Sequence, residues 1–283
     1  MESYTIRSFD DYPISVHEFV PKSPNHKTIV FAPAVAVPQK IYYPLAEYLA
    51  TKGCNVFTFD YRGIGDSLSQ SIQSLKEHGF VFWAQDFKSV SKHAKEEFPE
   101  NEQYMIGHSY GGNSVGFSDA YQYYDKYFTV ASQFGFYKHF TLKMRILIYL
   151  NFKFFVPLTT SLLEYYPSGW FGLGKPLTTR VAKDWAIFLL HPDSMLYFTQ
   201  KDTSTYYKEI KEPMLLLSID DDSFAPKKSV DILGERVYKN AEVTRKHLKP
   251  SDFNLKNIGH FDFFRTKNRD ILWPIVDDWF HLN

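Results

Sequence analysis

The apolar and polar positions of the chain change their period after about the first twenty residues. From Tyr4 to Val20 apolar residues alternate with polar ones around a turn at Asp10-Asp11, which predicts an antiparallel hairpin. Further along, short uninterrupted runs of β-branched and aromatic residues are separated by stretches with a helical period. Such runs are typical of strands covered on both faces, so the pattern predicts a mostly parallel sheet flanked by helices.

The uninterrupted runs predict strands at residues 28–31, 55–59, 103–106, 127–131, 214–219 and 252–258. The helical periods predict helices near residues 43–52, 80–98, 110–121 and 271–280. This alternation of strand and helix is the pattern of a doubly wound α/β domain.

The interval between residues 131 and 214 is longer than one crossover between parallel strands, which needs about thirty residues. It carries helical patterns of its own, and Thr179 can cap one of these helices. We therefore expect residues 136–207 to form an inserted helical cap, and residues 1–135 and 208–283 to form the α/β core.

Composition narrows the class of protein. Aromatic residues make up 18% of the chain, which indicates either a bulky core or a large apolar pocket. The net charge is zero and Lys and Arg are scattered, which argues against a nucleic-acid partner. The single cysteine, Cys54, excludes an intramolecular disulfide, and the N-terminus has no apolar export signal, so a cytoplasmic location is expected.

The most apolar stretch of the chain covers residues 140–163. Lys143, Arg145, Lys153 and Pro157 interrupt it, which makes it a poor membrane span. We expect it to form a buried helix of the cap, and a lid that dips into lipid is the alternative.

The strongest chemical signal is the turn Gly107-His108-Ser109-Tyr110-Gly111. It follows a predicted strand and precedes a predicted helix, which is the context in which Gly-x-Ser-x-Gly presents a nucleophile. So sharp a turn forces the serine into a strained conformation with positive φ and leaves no room for side chains at the two glycines. Ser109 is therefore the expected nucleophile, at the carboxyl edge of the sheet.

A serine hydroxyl needs a base that works near neutral pH, and imidazole is suited to this. Among the histidines after Ser109, only His260 lies in a glycine-containing loop directly after a predicted strand, so it is the expected base. The acid that orients it is expected among Asp220, Asp221 and Asp222, which directly follow the strand predicted at residues 214–219.

The oxyanion of an acyl-transfer reaction needs two N–H donors. The backbone of Tyr110, directly after the nucleophile, is expected to supply one of them. The other is expected from Val35 or Ala36, in a loop of small residues where a ligand can approach the backbone.

These motifs together resemble the α/β-hydrolase superfamily over essentially the whole chain. A closer resemblance is to a poorly characterised group of bacterial predicted hydrolases with a helical cap. It rests on Val-Pro-Gln-x-x-Tyr-Tyr at residues 37–43, Lys-Asp-Trp at residues 183–185 and Gly-His-x-x-Phe-Phe at residues 259–264. The His-Gly pair usual after the third strand is Pro33-Ala34 here.

The resemblance implies an α/β-hydrolase fold, with a mostly parallel doubly wound sheet, an N-terminal antiparallel hairpin and an inserted helical cap. It also implies that Asp222, four residues before Pro226, is the acid that orients His260.

The motifs favour a serine hydrolase that cleaves a carboxylic ester or thioester of an apolar or aromatic small molecule. Acyl transfer with the same residues and a non-catalytic ligand-binding role are the alternatives. The chain has no metal-binding spacing such as His-Glu-x-x-His and no phosphate-binding loop, so no cofactor is expected. The substrate pocket is expected to be lined by His108, Phe136, Trp170, Trp185, Phe224 and Phe261.

Overall fold

An eight-stranded sheet runs through the centre of the computed structural model, which describes residues 1–199 and 205–282. The strands in this part of the chain are β1 (Glu2–Arg7), β2 (Pro13–Phe19), β3 (Lys27–Ala32), β4 (Asn55–Phe59), β5 (Glu102–His108), β6 (Lys126–Val130), β7 (Tyr165–Tyr166), β8 (Leu177–Thr178), β9 (Pro213–Ile219) and β10 (Glu242–Leu248). The order in the large sheet is β1-β2-β4-β3-β5-β6-β9-β10, and β7 and β8 form a separate antiparallel pair.

Within the large sheet, β2 is antiparallel to both of its neighbours, and every other neighbouring pair is parallel. The predicted hairpin and the predicted parallel sheet are therefore confirmed. All five residues of β4 are buried, and β9 is buried after its first residue. The core thus covers both faces of the central strands, as their uninterrupted apolar runs require.

The described part of the chain has ten α-helices. They are α1 (Tyr43–Thr51), α2 (Phe80–Glu97), α3 (Gly111–Ser114), α4 (Leu142–Leu150), α5 (Val156–Leu163), α6 (Thr179–Leu190), α7 (Leu196–Thr199), α8 (Lys227–Ile232), α9 (Arg269–Leu272) and α10 (Pro274–Phe280). Two predicted helices are broken. The one expected at residues 110–121 is α3 followed by two 3₁₀ turns, and Pro274, which has no N–H to donate, separates α9 from α10.

Two further sequence predictions were wrong. The last strand is β10 and not residues 252–258, where Pro250–Phe253 forms a 3₁₀ turn. Since β10 lies at the edge of the sheet, it carries exposed polar residues and little apolar signal. The cap of α6 is Thr178 and not Thr179, because the Thr178 Oγ1 accepts the Val181 N–H at 3.1 Å.

The segment between β6 and β9 contains α4 to α7 and the β7–β8 pair. Residues 200–204, which belong to the expected cap, lie outside the described residues. A π-helical turn at Asn151–Phe155 joins α4 to α5, and we call the resulting helix, Leu142–Leu163, the cap rod.

The cap rod corrects the expectation of a buried helix. Among the described residues it is the one helix that is long and apolar enough to cross a membrane. Only 28% of its most apolar stretch is buried. The side of the rod that faces away from the sheet is apolar as well, so its sequence does not show which side is covered.

Candidate active site

Ser109 lies in the turn between β5 and α3. Its φ is +52°, as the sequence predicts. The helix and the sheet almost touch here, because a Cβ on Gly111 would lie 1.8 Å from the carbonyl oxygen of Ala32. A Cβ on Gly107 would lie 2.6 Å from the Cα of Gly112. The glycines therefore allow the turn that leaves Ser109 half-buried at the carboxyl edge of the sheet.

Asp222 is the residue among the three consecutive aspartates that the structure brings to His260. Its Oδ2 lies 2.7 Å from the His260 Nδ1, and its side chain is fully buried. Its Oδ1 accepts the N–H groups of Phe224 at 2.8 Å and of Ala225 at 3.1 Å. These two backbone donors fix the carboxylate, so the second oxygen is held toward the imidazole.

The other two aspartates contact different groups. Asp221 accepts the N–H of Gly259 at 2.9 Å and that of Ile258 at 3.0 Å, one on each carboxylate oxygen. It therefore holds the loop directly before His260. Asp220 contacts the Nε2 of His247 on β10 at 3.1 Å, away from the cavity.

Ser109 and His260 line one cavity of about 520 Å³. In the described part of the chain, the Ser109 Oγ and the His260 Nε2 are not hydrogen bonded to each other. Catalytic contacts of this kind are often long in the free enzyme and shorten when substrate binds. The structure thus places Ser109 and His260 at one cavity, with the Asp222 carboxylate buried behind the imidazole.

The backbone N–H groups of Tyr110, Val35 and Ala36 lie at this cavity and have no acceptor in residues 1–199 and 205–282. The expected oxyanion donors therefore all lie at the cavity that contains Ser109. Ala36 has a positive φ of +62°, and its carbonyl accepts the N–H of Lys175 at 2.9 Å. A segment between the cap rod and α6 is thereby attached to the loop that contains two of the three expected donors, Val35 and Ala36.

His108, directly before the nucleophile, is fully buried and lies behind the cavity wall. Its Nε2 is 2.9 Å from the carbonyl oxygen of His260, which can only accept, so the proton of His108 is on Nε2. Its Nδ1 then accepts the hydroxyl of Tyr42 at 3.0 Å, and that hydroxyl accepts the N–H of Ala34 at 2.9 Å.

Burial, and then the neighbouring His260, hold the pKa of His108 well below its ordinary value. His108 is therefore neutral at physiological pH. Together with Tyr42, it connects the backbone of Ala34, next to Val35, to the backbone of His260.

The structure brings three of the six expected pocket residues to the cavity, namely Trp185, Phe224 and Phe261. The other three expected residues do not line the cavity. His108 lies behind His260, Phe136 packs against Tyr137 and His139 outside the lining, and Trp170 is 71% exposed in a 3₁₀ turn at the surface.

The sequence analysis missed much of the lining. The missed apolar residues include Phe80, Phe140, Met144, Ile148, Phe152, Phe188 and Leu189. The helical period of α6 places Phe188 beside Trp185 and could have found it. Gln133 also lines the cavity, and its buried Oε1 has no hydrogen-bond partner among the described residues. Within the same ranges, no group of three or more His, Cys, Asp or Glu side chains could hold a metal ion.

Comparisons with known proteins agree with this geometry. The family model described as serine aminopeptidase, S33, matches residues 23–132. A soluble variant of monoglyceride lipase from Saccharomyces cerevisiae, in complex with a substrate analogue, is similar with a TM-score of 0.70 at 14% identity, over 98% of this chain and 94% of that chain. An esterase from Exiguobacterium antarcticum is similar with a TM-score of 0.61 at 14% identity, over 98% of this chain and 99% of that chain.

No curated protein matches the chain in sequence. The matched family model, the order of the strands and the likeness to these solved structures nevertheless lead to the same assignment. The chain has the α/β-hydrolase fold.

Proposed function

We propose that the protein is a serine hydrolase that cleaves carboxylic esters or thioesters of apolar acids through an acyl-enzyme. The observation that carries the proposal is the 2.7 Å contact between the Asp222 Oδ2 and the His260 Nδ1, at the cavity that also contains Ser109. Asp222 accepts a hydrogen bond from the Nδ1–H of His260, so the Nε2 is left free to take the proton of a hydroxyl.

The reaction uses these groups in turn. The Ser109 Oγ attacks the carbonyl carbon of the ester while the His260 Nε2 takes its proton, and the N–H groups of Tyr110 and of Val35 or Ala36 bind the oxyanion. His260 then gives the proton to the leaving alcohol, and the acyl group stays on Ser109. A water molecule, deprotonated by His260, then attacks the acyl carbon. His260 returns this proton to the Ser109 Oγ as the bond between the Oγ and the acyl carbon breaks and the acid leaves.

The cavity favours an apolar acyl group. Aliphatic and aromatic side chains form most of its lining, and its volume of about 520 Å³ lies within the range of small-molecule sites. The Oε1 of Gln133 is available to accept a hydrogen bond from a hydroxyl or N–H group of the substrate. Together these features support an apolar substrate with one polar group that reaches Gln133 in the cavity.

Labelling with a fluorophosphonate probe tests whether Ser109 is an activated nucleophile. We expect stoichiometric labelling of the native chain and none of Ser109→Ala. The matched control is Ser223→Ala, which removes an exposed serine next to Asp222 and should label like the native chain. Labelling of Ser109→Ala would place the activated serine elsewhere, and absence of labelling in the folded native chain would contradict the proposal.

A series of p-nitrophenyl esters tests the apolar substrate. We expect kcat/KM to rise about fourfold for each added methylene until the cavity is filled, since burial of one methylene contributes about 0.8 kcal/mol. Ile148→Trp, which fills part of the cavity, should end the rise at a shorter chain while acetate ester hydrolysis is unchanged. A series with no dependence on chain length would show that the acyl group does not occupy this cavity.

A further inference from the structure

The cap rod is apolar on both sides. On its inner side, Met144, Ile148 and Phe152 line the cavity. On its outer side, Leu142 and Leu162 are each 72% exposed and Phe154 is 56% exposed. A surface helix of a protein that meets only water is normally polar on its outer side, so this arrangement calls for an apolar neighbour.

The exposed apolar residues continue from the rod to the neighbouring 3₁₀ turn, where the rings of Phe155 and Phe171 are 5.5 Å apart. We call the whole surface the outer apolar face, and it consists of Leu142, Ile146, Leu147, Leu150, Phe154, Phe155, Leu158, Leu162, Trp170 and Phe171. Leu147 and Phe171 also line the cavity. The face therefore extends to the rim of the cavity that contains Ser109.

The charged residues of the cap rod are all basic. Residues 126–163 contain no Asp or Glu. Lys143, Arg145 and Lys153 are exposed on the cap rod, and none of them forms an ion pair with a described residue. Apolar side chains interspersed with unpaired basic ones complement the acyl chains and the anionic headgroups of a lipid surface.

We propose that the outer apolar face binds the surface of an anionic lipid bilayer and lies at the boundary of headgroups and acyl chains. The rod does not span the bilayer, because its inner side lines the cavity and packs against other elements of the segment between β6 and β9. Asn151 and the Tyr166 hydroxyl are hydrogen bonded at 2.7 Å, and the rings of Phe152 and Trp185 are 4.9 Å apart. A second copy of the chain is a poorer partner, because symmetric docking would bring the basic residues of both copies together.

Co-sedimentation of the full chain with vesicles tests this proposal. We expect the chain to bind vesicles of phosphatidylcholine and phosphatidylglycerol in equal parts more tightly than vesicles of phosphatidylcholine alone. Added salt should release the chain from the anionic vesicles. Ile146→Glu with Phe154→Glu should abolish the binding. The matched control, Val20→Glu with Leu68→Glu, introduces the same charge at two exposed apolar residues elsewhere and should bind like the native chain.

Charge reversal tests the contribution of the basic residues. Lys143→Glu with Lys153→Glu should weaken binding to the anionic vesicles by about thirtyfold or more, since each basic residue near the surface contributes about a factor of five. Lys246→Glu with Lys249→Glu, at exposed positions on or next to β10, is the control and should have a much smaller effect.

Binding does not require the proposed hydrolase activity, so the two proposals fail separately. Ser109→Ala should bind vesicles like the native chain, and Ile146→Glu with Phe154→Glu should still hydrolyse a soluble short-chain ester. Vesicle binding that survives this double substitution would overturn the proposal. Absence of binding of the native chain to the anionic vesicles would also overturn it, and a dimer, seen by analytical ultracentrifugation, that the same substitution dissociates would then identify a second copy as the occupant.

Discussion

Replacement of His260 by alanine is expected to lower kcat for ester hydrolysis by about 10⁶-fold, because the Ser109 hydroxyl then has no base to take its proton. Steady-state kinetics with a short-chain p-nitrophenyl ester measures the loss. The double variant with Ser109→Ala should be no slower than either single variant, since the two residues act as one unit.

The matched control is His247→Ala, which removes an imidazole bonded to Asp220 at the far edge of the sheet and should leave kcat unchanged. A His260→Ala variant with near-native turnover would show that the base is another group. His108 could not take over this role as it stands, because both of its ring nitrogens are already hydrogen bonded.

The second large effect is expected for Asp222→Asn, which should lower kcat by about 10⁴-fold. An amide N–H would donate to the Nδ1 of His260 and move the ring proton to Nε2, where it blocks the base. The adjacent Asp221→Asn keeps an oxygen that can accept a loop N–H, so we expect a loss of about tenfold or less. Asp220→Asn should have no effect, and equal losses for all three variants would contradict the assignment of Asp222.

The central sheet could be predicted because its strands are buried on both sides. Residues 55–59 were predicted as a strand, and β4 has these bounds. The edge strand β10 could not be found in the same way, since exposed Glu242, Thr244 and Lys246 alternate along it. The alternating pattern of β10 reflects the exposure of one of its sides to solvent. The apolar residues of the loop that follows resemble a strand more closely, so the strand was predicted there.

The prediction of His260 used that misplaced strand. In the structure, β10 ends at Leu248, twelve residues before His260. The imidazole is held instead by Asp222, and its loop is held by the two hydrogen bonds to Asp221. These contacts join residues almost forty positions apart, so no local pattern could reveal them.

The cap shows a different limit of sequence reasoning. Trp185 and Trp170 were both expected in the pocket, but only Trp185 lines it and Trp170 is exposed. Aromatic composition indicates that apolar surface must be covered, but it does not indicate by what. Where both sides of a helix are apolar, only the tertiary structure shows which side faces the protein.

The hydrogen bond from Lys175 to the carbonyl of Ala36 has a consequence for how such an enzyme can diversify. Gly174 approaches the same carbonyl so closely that a Cβ on it would lie 2.4 Å away. A substitution that widens the rim of the cavity here is also expected to displace the loop that contains the proposed oxyanion donors Val35 and Ala36. Substitutions at this rim that admit bulkier substrates are therefore expected to lower kcat. Substitutions at Phe188, deeper in the wall formed by α6, are not expected to move this loop. Natural or laboratory lineages should accordingly accumulate new specificities in α6 and keep residues 174–175 unchanged.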